Sequence, residues 1–221
     1  MILITGASSG LGCALAKQYD QDGEQLVLSG RDQQKLADVV AKLTNQATGI
    51  ACDLSCSQQV TELFDSLEET PNTIVHCAGS GSFGSLQTQQ PADIESLISN
   101  NLTSSIYLLQ EIVKRYQDLP VNVVVVMSTA AQVAKAGEST YCAVKWAVRA
   151  LLESLRLELK GKPIKLIAVY PGGMATEFWK TSGKQMDTSS FISPDDAAKM
   201  LKQALVSAEH GFVSDITINR G

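Results

Sequence analysis

The chain has no run of lysine and arginine, no uninterrupted apolar stretch of membrane-spanning length, and no cysteines at CxxC or zinc-site spacing. The first lack excludes a nucleic-acid footprint: 18 Lys and Arg stand against 23 Asp and Glu, a formal net charge of −5, with no cluster to neutralise a phosphate backbone. The second excludes a membrane span, and the first apolar run, 1–4, meets Gly6 too soon to serve as a signal-peptide core. The five cysteines, Cys13, Cys52, Cys56, Cys77 and Cys142, are odd in number, and only His76 and His210 could assist them at a metal. Free thiols in a reducing cytoplasm and no metal are therefore expected. There is no repeat to build a solenoid, and 44% hydrophobic with 19% charged residues excludes a disordered chain. With no linker in 221 residues, one domain spanning 1–221 is expected.

What is present is alternation. Short apolar, mostly β-branched runs at 2–5, 25–29, 48–52, 73–77, 121–127, 164–170 and 212–218 alternate with helical-period segments at 11–22, 33–44, 58–68, 92–117, 139–160 and 194–208. The run at 121–126 is apolar almost throughout, as a strand covered on both faces must be. Such alternation predicts parallel pairing through right-handed crossovers, a doubly wound α/β sheet with ligands bound beyond the carboxyl ends of its strands. Segment 171–192, with Gly172, Gly173, Gly183, Phe178 and Trp179, follows one such end and reads as a short flap.

The first strand leads into Thr5-Gly6-Ala7-Ser8-Ser9-Gly10-Leu11-Gly12 and then directly into a helix. Glycines there let the backbone turn and approach a pyrophosphate, which the unpaired amides of the helix N-terminus attract. An ordinary glycine-rich turn would look alike, but its place after an N-terminal apolar strand favours a nucleotide site. The second strand ends at Gly30-Arg31-Asp32. A guanidinium there would hold a ribose 2′-phosphate and favours NADP, while Asp32 keeps NAD open. The third ends at Cys52-Asp53-Leu54, where Asp53 either accepts from an adenine amino group or caps the next helix.

Tyr141 and Lys145 stand four apart on a helical pattern, hence on one face, a turn apart. A phenol ionises near pH 10, and a neighbouring ammonium favours the phenolate. Ser128, thirteen residues earlier at the end of the buried strand, could reach the phenol through a loop. Asn100-Asn101 interrupts the apolar helix carrying Ile94, Leu97, Leu102 and Ile106. Asparagine competes for backbone bonds, so the pair predicts a kink or an inward polar contact.

In these residues the sequence resembles the short-chain dehydrogenase/reductase family over essentially the whole chain. The matching positions are Thr5 to Gly12, Asp53, Ala78-Gly79, Asn101, Ser128, Tyr141 with Lys145, and Pro171-Gly172 followed by Thr176. The resemblance implies a seven-stranded Rossmann-like sheet in the order 3-2-1-4-5-6-7 and hydride exchange between a nicotinamide and an alcohol or carbonyl. It assigns the cofactor to Gly6, Ser8, Ser9, Gly10, Leu11, Gly12, Arg31, Asp53, Leu54, Ala78, Gly79, Pro171, Gly172 and Thr176, with Tyr141 and Lys145. It makes Tyr141 the proton donor or acceptor, gives Lys145 the nicotinamide ribose and a depressed tyrosine pKa, lets Ser128 orient the substrate oxygen, and has Asn101 hold a water next to Lys145. His76-Cys77 departs from the asparagines common at that place, and a packed structural role is expected for His76. Phe83, Val133, Met174, Phe178 and Trp179 are candidates for an apolar substrate wall. The apolar stripe of the Tyr141 helix, with the family's habit of pairing along it and the Asn101 helix, implies a homodimer or homotetramer. The expected function is an NADP(H)-dependent oxidoreductase of small or medium carbonyl compounds. A non-catalytic NADP(H) sensor and an isomerase or lyase using the same proton shuttle are the alternatives.

Overall fold

The computed structural model describes residues 1–184, 186–206 and 211–220. Seven strands, β1 (Ile2–Thr5), β2 (Leu26–Gly30), β3 (Ala47–Ala51), β4 (Thr73–His76), β5 (Asn122–Val126), β6 (Lys165–Pro171) and β7 (Asp215–Ile218), pair in parallel in the order β3-β2-β1-β4-β5-β6-β7. The alternation predicts a doubly wound parallel sheet, and the strand order is the one the resemblance implies. Each crossover carries a helix: α1 (Gly10–Asp20), α2 (Gln33–Val40), α3 (Ser57–Asp65), α4 (Pro91–Ile98) with α5 (Ser104–Tyr116), and α6 (Ser139–Glu158), while α7 (Phe178–Thr181) and α8 (Pro194–Ala204) lie between β6 and β7.

Two buried clusters, one on each face, hold the layers together. Val123 and Val125 of β5 point into one with Leu108, Ile112 and Val148; Val124 and Val126 point into the other with Leu15, Leu28 and Leu201. A strand sandwiched this way has no face for a polar residue, which is why β5 is nearly all valine. Edge strand β7 alternates instead, exposing Asp215 and Thr217 and burying Ile216 and Ile218. None of the described helices is long and apolar enough to cross a membrane.

Several element ends differ by a few residues from the sequence reading, α3 ending at Asp65 and α8 at Ala204 among them, and three differences bear on the architecture. Helix α2 stops at Val40 and not at 44, because the Asp20 carboxylate accepts hydrogen bonds from the amides of Thr44 and Asn45 and from the Thr44 hydroxyl. The expected helix 92–117 is broken by a π-helical turn, Ser99–Thr103, centred on the asparagine pair. β7 begins at Asp215, not 212, with Phe212 and Val213 exposed before it. The end of the expected helix 194–208 beyond 206, and His210, lie outside the described residues.

Strand order reverses between β1 and β4, so the crossovers leave opposite faces there and open a crevice above the carboxyl ends of the strands. The first turn out of β1 is tight. Gly6 has φ +68°, and a β-carbon on it would sit 2.5 Å from the Ala78 backbone nitrogen. One on Gly12 would sit 2.5 Å from the Gly6 carbonyl oxygen. Only glycine lets the β1–α1 turn press against β4 and lets α1 start so close to the sheet.

Candidate active site

The crevice is a cleft of about 990 Å³ crossing the carboxyl ends of the strands. Gly6, Ser8, Ser9, Gly10, Leu11 and Gly12 line it from the β1–α1 turn, Arg31 from just after β2, and Asp53 and Leu54 from just after β3. Ala78 and Gly79 follow β4, Ser128 follows β5, Tyr141 and Lys145 come from α6, and Pro171, Gly172 and Thr176 come from the end of β6. Every expected site residue except Asn101 therefore faces one continuous cleft. Asn101 stands directly behind its wall, 1% exposed.

One end suits a dinucleotide. The N-cap residue of α1, Ser9, makes no side-chain hydrogen bond to the helix, so the first amides of this eleven-residue helix face the cleft unclaimed. Added β-carbons would crowd that turn, which is the cradle a pyrophosphate needs. Arg31 is exposed at the mouth, its Nη1 donating to Asn100 Oδ1 at 2.9 Å. Lys35, from the first turn of α2, lines the cleft beside it. Asp32 is turned away: its carboxylate caps α2 by accepting from the Lys35 amide at 3.0 Å and does not line the cleft. Asp53 accepts from the amide and hydroxyl of Ser55, at 2.9 and 2.7 Å. Those bonds hold its carboxyl below the usual range, so it stays ionised at the floor of the cleft.

The other end carries the proton-handling groups. Tyr141 and Lys145 are each 6% exposed, and the ammonium lies 5.7 Å from the centroid of the phenol ring. Burial pushes the Tyr141 phenol far above its ordinary value, against the opposing pull of the Ser128 hydroxyl, and the Glu138 charge raises it further. Burial also lowers Lys145, to about 8. Desolvation is the largest influence on the phenol and acts in the direction opposite to the lowering that the resemblance assigns to Lys145, so the protein's own groups favour the protonated form.

The asparagine pair does both things its position suggested. The π-helical turn lets Asn101 point inward, its Nδ2 donating to the carbonyls of Leu97 and Ser80 at 2.9 and 3.0 Å. Its Oδ1 is buried without a partner among the described residues. A β-carbon on Gly79 would lie 2.8 Å from that oxygen and 3.3 Å from Lys145 Nζ, so the glycine preserves a small polar space between them. An orphaned buried acceptor beside an ammonium is suited to a bound water.

His76 is fully buried and spans from β1 to α5, with Nδ1 2.8 Å from Thr5 Oγ1 and Nε2 3.0 Å from Ser105 Oγ. Because Ser105 spends its own proton on the Asn101 carbonyl, at 2.6 Å, Nε2 carries the ring proton and Nδ1 accepts from Thr5. The ring thus ties the π-helical turn to β1. Burial pulls its pKa from 6.5 down to about 3. Between those values only the unfolded chain takes up the proton, so this contribution to stability is full above pH 6.5 and is lost progressively as pH falls toward 3. Urea midpoints measured from pH 7 to 4 are expected to fall, and His76→Asn to flatten that slope; an unchanged slope in the variant would assign the acid sensitivity elsewhere.

Of the expected substrate wall, Phe83, Met174, Phe178 and Trp179 line the cleft, whereas Val133 is 63% exposed outside it. Lys35 and Glu138 were not singled out from the sequence. Each sits one turn from a residue that was, Arg31 and Tyr141 respectively, and that spacing was the available signal.

Comparison with known proteins agrees with this geometry. Residues 1–187 match the family model described as short chain dehydrogenase. The chain belongs to the short-chain dehydrogenase family. A short-chain dehydrogenase/reductase from Vibrio parahaemolyticus is 58% identical, covers all of both chains and superposes with a TM-score of 0.94. A short-chain dehydrogenase from Sphingobium yanoikuyae, solved in complex with NADPH, is 26% identical with a TM-score of 0.84, over 97% of this chain and 86% of that one. An uncharacterised oxidoreductase of Staphylococcus epidermidis is 24% identical over 98% of this chain and 95% of its own. As a short-chain dehydrogenase/reductase, the protein is an NAD(P)-dependent oxidoreductase acting on CH–OH and C=O groups.

Proposed function

We propose that the protein is an NADP(H)-dependent reductase of small or medium carbonyl compounds, reversible toward the alcohol, with Tyr141 as general acid. One observation carries the reading: a single cleft has unclaimed helix amides with Arg31 and Lys35 at one end, and a buried, protonated Tyr141 beside Ser128 and Lys145 at the other. Bound along it, the nicotinamide would supply or accept the hydride. The chain's own part is orientation and proton delivery. Tyr141 donates its proton to the carbonyl oxygen as negative charge develops there, and Ser128 holds that oxygen in place. Lys145 stabilises the resulting phenolate, and the space between it and Asn101 Oδ1 gives a water a place from which to return the proton.

Arg31 and Lys35 favour the 2′-phosphorylated cofactor, since both lie on the cleft and the one nearby acid at that strand end, Asp32, is engaged as a helix cap. Exposed Trp146 on α6 with Ile98 and Ile106 on α4 and α5 supplies the apolar surface for pairing into a dimer or tetramer. All five cysteines are free, which suits a reducing compartment such as the cytoplasm.

The test follows NADPH absorbance across aldehydes, ketones, 3-oxoesters and sugars, with the Tyr141→Phe protein as blank. Oxidation above the blank with at least one carbonyl class is expected. Tight NADPH binding with no oxidation by any of them would overturn the reading and leave a sensor.

A further inference from the structure

Four polar side chains run through the otherwise apolar contact between the sheet and α5. Thr5 and His76 pair in register at the ends of β1 and β4, Ser105 lies in the first turn of α5 and Asn101 in the π-helical turn before it, and all four are at most 3% exposed. Buried polar groups destabilise a core unless they satisfy one another. Here the bonds run in one direction: Thr5 Oγ1 donates to His76 Nδ1, His76 Nε2 to Ser105 Oγ, and Ser105 Oγ to the Asn101 carbonyl. Among the described residues the one polar side-chain atom of this chain without a partner is Asn101 Oδ1, which shares with Lys145 Nζ the space that Gly79 keeps open.

Asn101 needs holding, because a π-helical turn is a rare local geometry that surrounding contacts must maintain. The segment leaving β4 supplies those contacts. The Ser80 carbonyl accepts from Asn101 Nδ2, Gly79 lies against Oδ1, and His76 fixes the serine that bonds the Asn101 carbonyl. With its ring proton on Nε2, the imidazole offers Ser105 only a donor, so the serine must direct its own proton to Asn101. Burial and the charge of Lys145 both oppose protonation of the ring, which keeps this direction constant at neutral pH.

We infer that His76 is a positioning residue of the proton-handling site, fixing Asn101 through Ser105 so that Oδ1 keeps its station beside Lys145. The inference deepens the reductase reading and rests on it. No proton travels along the chain, since the backbone of Asn101 separates its carbonyl from its side-chain oxygen. The effect is on the place where a water returns the proton to Tyr141 between turnovers. The first proton, which burial already keeps on the phenol, does not depend on it.

The test compares the first and later turnovers of NADPH oxidation with the carbonyl that the wild-type enzyme reduces fastest. His76→Asn keeps an acceptor near Nδ1 but is too short to donate to Ser105, whereas His76→Gln carries an amide nitrogen to about the place of Nε2. His76→Asn is expected to lower steady-state kcat about ten- to a hundredfold, as for impaired proton delivery, while the single-turnover rate and the Kd for NADPH change by less than about threefold. The solvent deuterium isotope effect on kcat is expected to rise in the same variant. His76→Gln is expected to restore both toward wild type. Ser105→Ala removes the link and keeps the imidazole, and is expected to reproduce the loss in kcat, so the inference stays testable if His76→Asn does not fold. In an Asn101→Ala background, with no side-chain oxygen left to place, Ser105→Ala is expected to lower kcat by less than about threefold further. Lower urea midpoints for His76→Asn and Ser105→Ala with unchanged kcat would overturn the inference and leave His76 a packing residue. Equal falls in the single-turnover and steady-state rates, equal losses for the Asn and Gln variants, or a full additional loss in the Asn101→Ala background would overturn it as well. Each of these results leaves the reductase reading standing. Failure of the wild-type protein to reduce any carbonyl of the panel, with NADPH or NADH, would remove both.

Discussion

Tyr141→Phe is expected to lower kcat by about 10²–10⁴-fold, the range for loss of a positioned general acid, while NADPH affinity changes by less than about threefold. The substitution deletes one oxygen and keeps the ring. Contacts with Phe83 and Phe178 therefore persist, as does the ammonium of Lys145 against the ring. What is lost is the proton that burial keeps on the phenol at neutral pH. Ser128 remains within the site, but a serine hydroxyl whose oxygen already accepts from the Ala130 amide is a poor replacement as an acid. Single-turnover NADPH oxidation measures the first quantity and fluorescence titration the second. Turnover equal to wild type would end the assignment of the proton to Tyr141.

Replacing Arg31 and Lys35 together by alanine is expected to raise the Kd for NADPH by about a hundredfold and that for NADH by no more than about threefold, as for loss of a charge-assisted phosphate contact. Arg31 donates one nitrogen to Asn100 and leaves the rest of its fork at the cleft mouth. Lys35 adds a second cation on the same side. Asp32 caps α2 through the amide of residue 35 and its other oxygen lies 3.8 Å from the Lys35 ammonium, an exposed pair that a phosphate must displace. That cap uses backbone and survives truncation of the Lys35 side chain, so α2 should keep its start. Isothermal titration with both cofactors decides the matter. An equal loss for NADPH and NADH would mean that the two cations shape the loop and do not read the phosphate.

The sheet was legible because each β-branched run is short and each crossover is amphipathic, and both signals are local. Element ends set by distant groups were not: α2 is cut by the carboxylate of Asp20, which no window around residues 33–44 contains. The candidate site was legible in part through broken rules. Two adjacent asparagines in an apolar helix marked the π-helical turn, and glycines at 6, 10 and 12 marked the phosphate cradle. The protonation state of Tyr141 could not be read, since the groups that bury it, Phe83 and Phe178, come from distant segments of the chain. Glu138 escaped notice for the same reason: an acid before a helix is an ordinary start signal until distant segments bury it and Lys184 pairs with it.

The widened turn at Ser99–Thr103 holds two neighbours that answer to opposite ends of the cleft. Asn100 grips Arg31 and, through its amide, Ser80 and Ser96; Asn101 reaches back to the space beside Lys145. A helix with regular spacing would turn consecutive side chains about 100° apart with no slack to adjust either. Here the surplus residue of the π-helical turn resets that spacing. One of the two holds the guanidinium at the cleft mouth while the next in sequence faces the space beside Lys145, so a single turn serves both ends of the cleft.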